Sequence, residues 1–136
     1  MKIEGKVWKD GKFWIVSIPG LDLSTQGMTR KEAFKMARSV VEDVVDKVDF
    51  KVAIDVQENG HFMISSDNVA ELVALLLKRQ RAKQGLSLME VARRMGSKSP
   101  NAFGAYEQGK REPSISTLEK LVRILNPKSS LMLGLA

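Results

Sequence analysis

The chain has 136 residues, no cysteine, one histidine and a formal charge of +6, with 43% hydrophobic and 28% charged residues. This composition describes a globular chain and excludes disulfides, thiolate metal sites and cysteine nucleophiles. His61 alone leaves little scope for a metal centre or imidazole catalysis, so no metal and no cofactor is expected. No apolar run approaches the roughly 20 residues that cross a bilayer, and MKIEGKVWKDGKF lacks the apolar stretch of a secretion signal; the expectation is a cytoplasmic protein without a membrane partner.

The first strand is predicted over 2–9, with Ile3 and Val7 as its apolar face. Asp10-Gly11 marks a two-residue hairpin turn with positive φ at both positions. Phe13 to Ile18 returns with apolar residues on both faces, as in a central strand. Pro19-Gly20 ends it, and Leu21 to Gln26 forms a third strand. Thr29-Arg30-Lys31-Glu32 is a capping box. It opens a helix whose stripe is Ala33, Ala37, Val40, Val41, Val44 and Val48. Phe50, Val52, Ile54 and Val56 alternate as a half-buried strand, Asn59-Gly60 turns the chain, and His61 to Ser65 returns. The expected α+β unit is an antiparallel β-β-β-α-β-β sheet with one helix on a face.

Polar Ser65 to Asn68 marks a boundary between domains at 1–66 and 67–136. Beyond it the pattern is helical, over about 69–83, 88–95, 100–108 and 116–125. Gly85, Gly96 and Gly109 follow the first three as left-handed C-caps. Ser87-x-x-Glu90 and Ser116-x-x-Glu119 read as capping boxes. Ser99-Pro100 reads as an N-cap with proline at the first helical position. Charge follows the same division. Residues 1–68 hold 10 basic and 11 acidic side chains, whereas residues 69–136 hold 12 and 5, so the basic half is the one expected to meet a polyanion.

Within that half, the helix at 88–95 buries Leu88, Val91, Ala92 and Met95, and the next buries Phe103 and Tyr106 while exposing Asn101, Ala102 and Ala105. So slim a face can enter a major groove about 12 Å wide. Asn101, whose amide can bond adenine bidentately, is the first base-reading candidate, with Ala102 and Ala105 beside it. Ser87, Ser97, Lys98, Ser99, Lys110 and Arg111 stand at helix starts and turns, where they can grip phosphate oxygens.

Tyr106-Glu107-Gln108-Gly109-Lys110-Arg111-Glu112-Pro113-Ser114, followed by Thr117-Leu118-Glu119-Lys120-Leu121, resembles the Xre-type (phage-repressor-like) helix-turn-helix family over about 70–126. The departures are one extra residue after Gly96, and Pro100 and Ala105 where that family often carries polar base-contacting side chains. Phe13 to Leu21, then Thr25-Gln26-Gly27-Met28-Thr29 and Glu32-Ala33, resembles the HicB-type antitoxin family over about 1–65, through its T-x-G-x-T-x-x-E-A pattern. That resemblance implies a degraded RNase H-like domain that binds a small basic HicA-like mRNA-cleaving toxin. It also implies a homodimer or larger assembly that represses its own operon on double-stranded operator DNA. Trp8 and Trp14 are the candidate anchors for the partner. The alternative is a regulator whose N-terminal domain senses a small ligand or only dimerises. An enzyme is not expected, because Glu4, Asp22, Glu42 and Asp55 show no compelling pairing for metal-dependent RNA cleavage.

Overall fold

The computed structural model describes residues 1–135. The chain divides into two compact units, Met1–Leu72 and Val73–Ala136. The first holds strands β1 (Ile3–Asp10), β2 (Phe13–Ile18) and β3 (Leu23–Gly27), helix α1 (Arg30–Val45), and strands β4 (Ala53–Val56) and β5 (His61–Ser65). The strands form one sheet in the order β3-β2-β1-β5-β4, every pairing antiparallel. The fold class is α+β, as the alternation predicted. β2 is paired on both sides, but β1 stands at the middle.

Register decides which side chains share a face, because strand side chains alternate. Val7 pairs with Val16, Ile3 with Ile64 and Gly5 with Phe62, all of them buried. Ala33, Ala37 and Val41 of α1 are fully buried and supply the helical side of this core. Gly5 is glycine because the Phe62 ring occupies the space its Cβ would need. Gly27 lets β3 approach the start of α1: a Cβ there would stand 2.5 Å from the Ala33 nitrogen. The opposite face of the sheet carries Lys6, Trp8, Ile15 and His61.

Four local expectations change. Asp10 pairs with Phe13, so the first turn is Gly11-Lys12, and only Gly11 has positive φ (59°). Leu21 is not strand: Pro19–Leu21 is a 3-10 turn closed by Asp22 in the left-handed region, φ 51°, whose N–H bonds Pro19 O at 3.1 Å. α1 stops at Val45 because Asp46 also turns left-handed, φ 53°. The helical phase is lost there, and Val48 is 92% exposed instead of completing the stripe. Phe50 and Val52 are buried, yet they precede β4. The Val52 N–H donates to the Glu42 carboxylate at 3.0 Å, so a side chain replaces the ladder partner. The second hairpin turns at Asn59 and Gly60, φ 56° and 74°, as a primed turn requires.

The division between units falls inside α2 (Val69–Lys83), after Leu72, beyond the polar stretch that sequence marked. Asn68 Oδ1 accepts from the Glu71 amide at 3.1 Å and caps this helix. The second unit continues with α3 (Leu88–Arg94), α4 (Asn101–Glu107) and α5 (Ile115–Leu125). Val73, Leu77, Leu86, Val91, Phe103, Tyr106, Leu118, Leu121 and Leu125 form its core. Leu131 of the apolar tail packs on that core, whereas Met132, Leu133 and Leu135 are exposed; Ala136 lies outside the described residues.

Candidate nucleic-acid interface

Two short helices joined by a tight turn make the site. α3 starts at Ser87, whose hydroxyl accepts from the Glu90 amide at 3.1 Å. The helix ends where Gly96, φ 77°, takes the left-handed conformation, and Ser97 N–H returns to Ala92 O at 2.8 Å. The turn is then held by two hydroxyls. Ser97 Oγ accepts from Ser99 N–H and Ser99 Oγ accepts from Asn101 N–H, both at 3.2 Å. Pro100 has helical dihedrals, φ −64° and ψ −18°, and its missing N–H costs nothing at a helix start.

α4 buries Phe103 and Gly104 and nearly buries Tyr106, leaving Asn101 exposed. Ala102 and Ala105 are half-buried rather than exposed. An alanine methyl projects so little beyond its own helix backbone that neighbouring side chains shade it. Lys98 and Lys110 are exposed, and the Arg111 guanidinium lies over the Tyr106 ring, 5.2 Å from its centroid. Among the expected phosphate contacts, then, Lys98 and Lys110 are solvated cations. Ser87, Ser97 and Ser99 already accept from backbone amides, which leaves their hydroxyl protons as what they can offer a phosphate. The Ser87 proton points at Glu90 Oε1, 3.4 Å away.

What sequence reading missed is the clamp that aims α4. Arg81 Nε and Nη2 donate to Glu107 Oε2 and Oε1 at 2.8 and 2.9 Å, and Arg81 Nη1 donates to Leu86 O at 2.8 Å. The pair is bidentate and largely out of solvent, with side-chain exposures of 21% and 7%. Such a fork fixes direction as well as distance. The glutamate of the E-x-G-K stretch therefore positions the helix from inside. Arg94 Nη1 similarly donates to Ile124 O at 2.9 Å, tying α3 to the end of α5. Arg123 is paired with Glu119. Part of the basic excess is thus spent within the fold. Gln108 was also missed: it is exposed and lies seven residues after Asn101, two helical turns along the same side. Its place at a helix end, next to the glycine cap, hid it.

Correction also falls on α5. Ser114, not Ser116, is its N-cap, accepting from the Thr117 amide at 3.2 Å.

In the first unit, Trp8 and Trp14 lie on opposite faces. Trp8 pairs with Ile15 on the open face and is 45% exposed, whereas Trp14 pairs with Lys9 and Gly27 and is half-buried. They cannot form one patch. Three of the acids weighed for nuclease chemistry have structural partners: Glu4 with His61 Nδ1 at 2.6 Å, Glu42 with Val52 N–H, and Asp55 with Lys2 Nζ at 3.0 Å. Among the described residues, no group of three or more acids or histidines could hold one metal ion, and no helix is long and apolar enough to cross a membrane.

Residues 77–130 match the family model for helix-turn-helix proteins. The match supports an Xre-like helix-turn-helix in the C-terminal unit, the kind of domain carried by DNA-binding transcriptional regulators. The same match supports binding to double-stranded DNA. No curated protein matches the chain.

Proposed function

We propose that this protein is the antitoxin of a type II toxin–antitoxin system. Residues 1–66 form a degraded RNase H-like, HicB-type domain that binds and neutralises a small basic, HicA-like, mRNA-cleaving toxin. Residues 67–136 form the DNA-binding domain through which a homodimer or higher oligomer represses its own operon. Asn101, with Ala102 and Ala105 beside it, faces the base edges. Lys98, Lys110, Arg111 and the hydroxyls of Ser87, Ser97 and Ser99 hold phosphates. Trp8 is the aromatic anchor presented to the toxin.

The observation that carries the reading is the T-x-G-x-T-x-x-E-A pattern seated at the β3–α1 junction of a chain that also bears a helix-turn-helix. Three of its residues have a local structural role there. Gly27 admits the helix, Thr29 Oγ1 caps it by accepting from Glu32 N–H at 3.0 Å, and Ala33 is fully buried. The pattern is thus a fold-defining one, and the same fold-defining residues underlie the resemblance to the antitoxin family.

The test is co-expression with the short neighbouring reading frame, followed by affinity purification and mass spectrometry. A small basic protein should co-purify in a fixed ratio, and its toxicity to growing cells should disappear when this chain is present. Recovery of no such protein, together with thermal stabilisation by metabolites, would replace the antitoxin with a ligand-sensing regulator.

A further inference from the structure

The first unit is nearly neutral, yet residues 30–38 of α1 hold Arg30, Lys31, Lys35 and Arg38 against the single acid Glu32. Thr29, Lys31, Glu32, Phe34, Lys35 and Arg38 line one open groove. Lys2 pairs with Asp55, Lys47 with Glu71 and Lys51 with Glu42, and the cations of this unit that also lack an ion pair, Lys6, Lys9 and Lys12, are strung along β1 and its turn rather than gathered on one side of a helix. Among the described residues, Lys31, Lys35 and Arg38 have no acidic partner. Arg30 lies over the Phe34 ring, 5.2 Å from its centroid, and Phe34 packs edge-on against Phe62. The groove thus has an anchored aromatic base and three unspent charges on one side of the helix.

We propose that this groove is a second nucleic-acid contact, in which Lys31, Lys35 and Arg38 hold successive phosphates of a strand without reading its bases. The inference rests on the reading of the chain as a DNA-binding protein. At 1.5 Å per residue the three charges are separated by rises of about 6 and 4.5 Å. A strand presents a phosphate about every 3.4 Å of helix axis, so long cationic side chains at these separations reach a run of phosphates without strain. An acidic peptide is the less suitable occupant. An extended peptide gains affinity chiefly by pairing its backbone with a strand edge, and this groove, lined by residues of α1 and its cap, presents no strand edge. Phosphates require only the cations.

The full-length chain, uniformly labelled with nitrogen-15, is titrated with a non-specific DNA duplex and separately with polyglutamate, and amide shifts are followed. The proposal expects residues 29–38 and residues 97–108 both to shift with DNA, and residues 29–38 to shift little with polyglutamate. In K31Q/K35Q/R38Q the dependence of log affinity on log salt should flatten by two to three units, since each phosphate contact contributes about 0.9. Circular dichroism would verify that this variant is folded, and the single K35Q, expected to flatten the slope by about one unit, stands in if it is not. Shifts confined to 97–108, with an unchanged slope, overturn the α1 contact and leave the helix-turn-helix intact. Shifts confined to 29–38 keep the α1 contact and remove the base-reading role of α4. Larger shifts of 29–38 with polyglutamate than with DNA assign the groove to an acidic protein and overturn the proposal, as does the absence of any shift.

Discussion

Asn101 and Lys98 stand three residues apart at the start of α4, both exposed, and their chemistry predicts opposite phenotypes. Removing the amide in Asn101→Ala should change preference at one operator position, by about 1–3 kcal/mol. Lys98→Ala should weaken all DNA alike and flatten the salt slope by about one unit. Gel-shift titrations on a set of single-base operator variants, at several salt concentrations, separate the two. Identical behaviour of both variants would show that the groove assignment is wrong. Glu107 belongs to a different class despite sitting in the same helix. Its carboxylate is 7% exposed and receives two bonds from Arg81, so Glu107→Ala should cost about 1.5–3 kcal/mol in urea unfolding. Arg81→Ala should cost a similar amount, and the double variant should cost less than the sum. A stable Glu107→Ala protein that merely loses DNA would place this side chain at the interface instead.

Elements begin and end where a particular group satisfies the backbone, and two of these devices are open to test. Ser114 caps α5, so Ser114→Ala should lose about 1 kcal/mol, whereas Ser116→Ala, whose hydroxyl accepts no helix amide, should stay within about 0.5 kcal/mol. Equal losses would restore the capping box that spacing alone indicated at Ser116. At the other end of the chain, Gly27→Ala would press a methyl group onto the backbone nitrogen of Ala33. Overpacking of this kind costs about 1–3 kcal/mol, and here the neighbour is main chain rather than a flexible side chain. Thermal unfolding of the variant should show a clear loss of stability. An unchanged midpoint would mean that the β3–α1 contact relaxes freely, and the packing account of the T-x-G-x-T pattern would fall.

For the whole molecule, the proposed homodimer would present two helix-turn-helix units to two half-sites of an operator. Hydroxyl-radical footprinting should then reveal two protected tracts about 34 Å apart, or a multiple of that distance, on one side of the duplex. A single tract at saturating protein would argue for a monomeric reader.

Much of this architecture was open to inspection in the sequence, because its determinants are local. The apolar face of β1, the Asn59-Gly60 turn with its return strand, the Thr29 and Ser87 caps and the helical pattern of α2 each depend on a few neighbouring residues, so a linear reading recovers them. The same is true of the helix-turn-helix, whose E-x-G-K turn is contiguous. The rest needed three dimensions. Only strand register placed Trp8 and Trp14 on opposite faces. Only folding brought Arg81 to Glu107 across 26 positions, and only there did it emerge which cations are spent inside the protein and which remain for a polyanion. Val48 and Ser116 were misplaced for a related reason. Periodicity extends a helix indefinitely, whereas a left-handed Asp46 or a better-placed hydroxyl at Ser114 stops or starts it. Local pattern fixes which elements form. Long-range pairing of charges, ring packing and register fix where they point, and those contacts link residues whose separation along the chain carries no trace of their meeting.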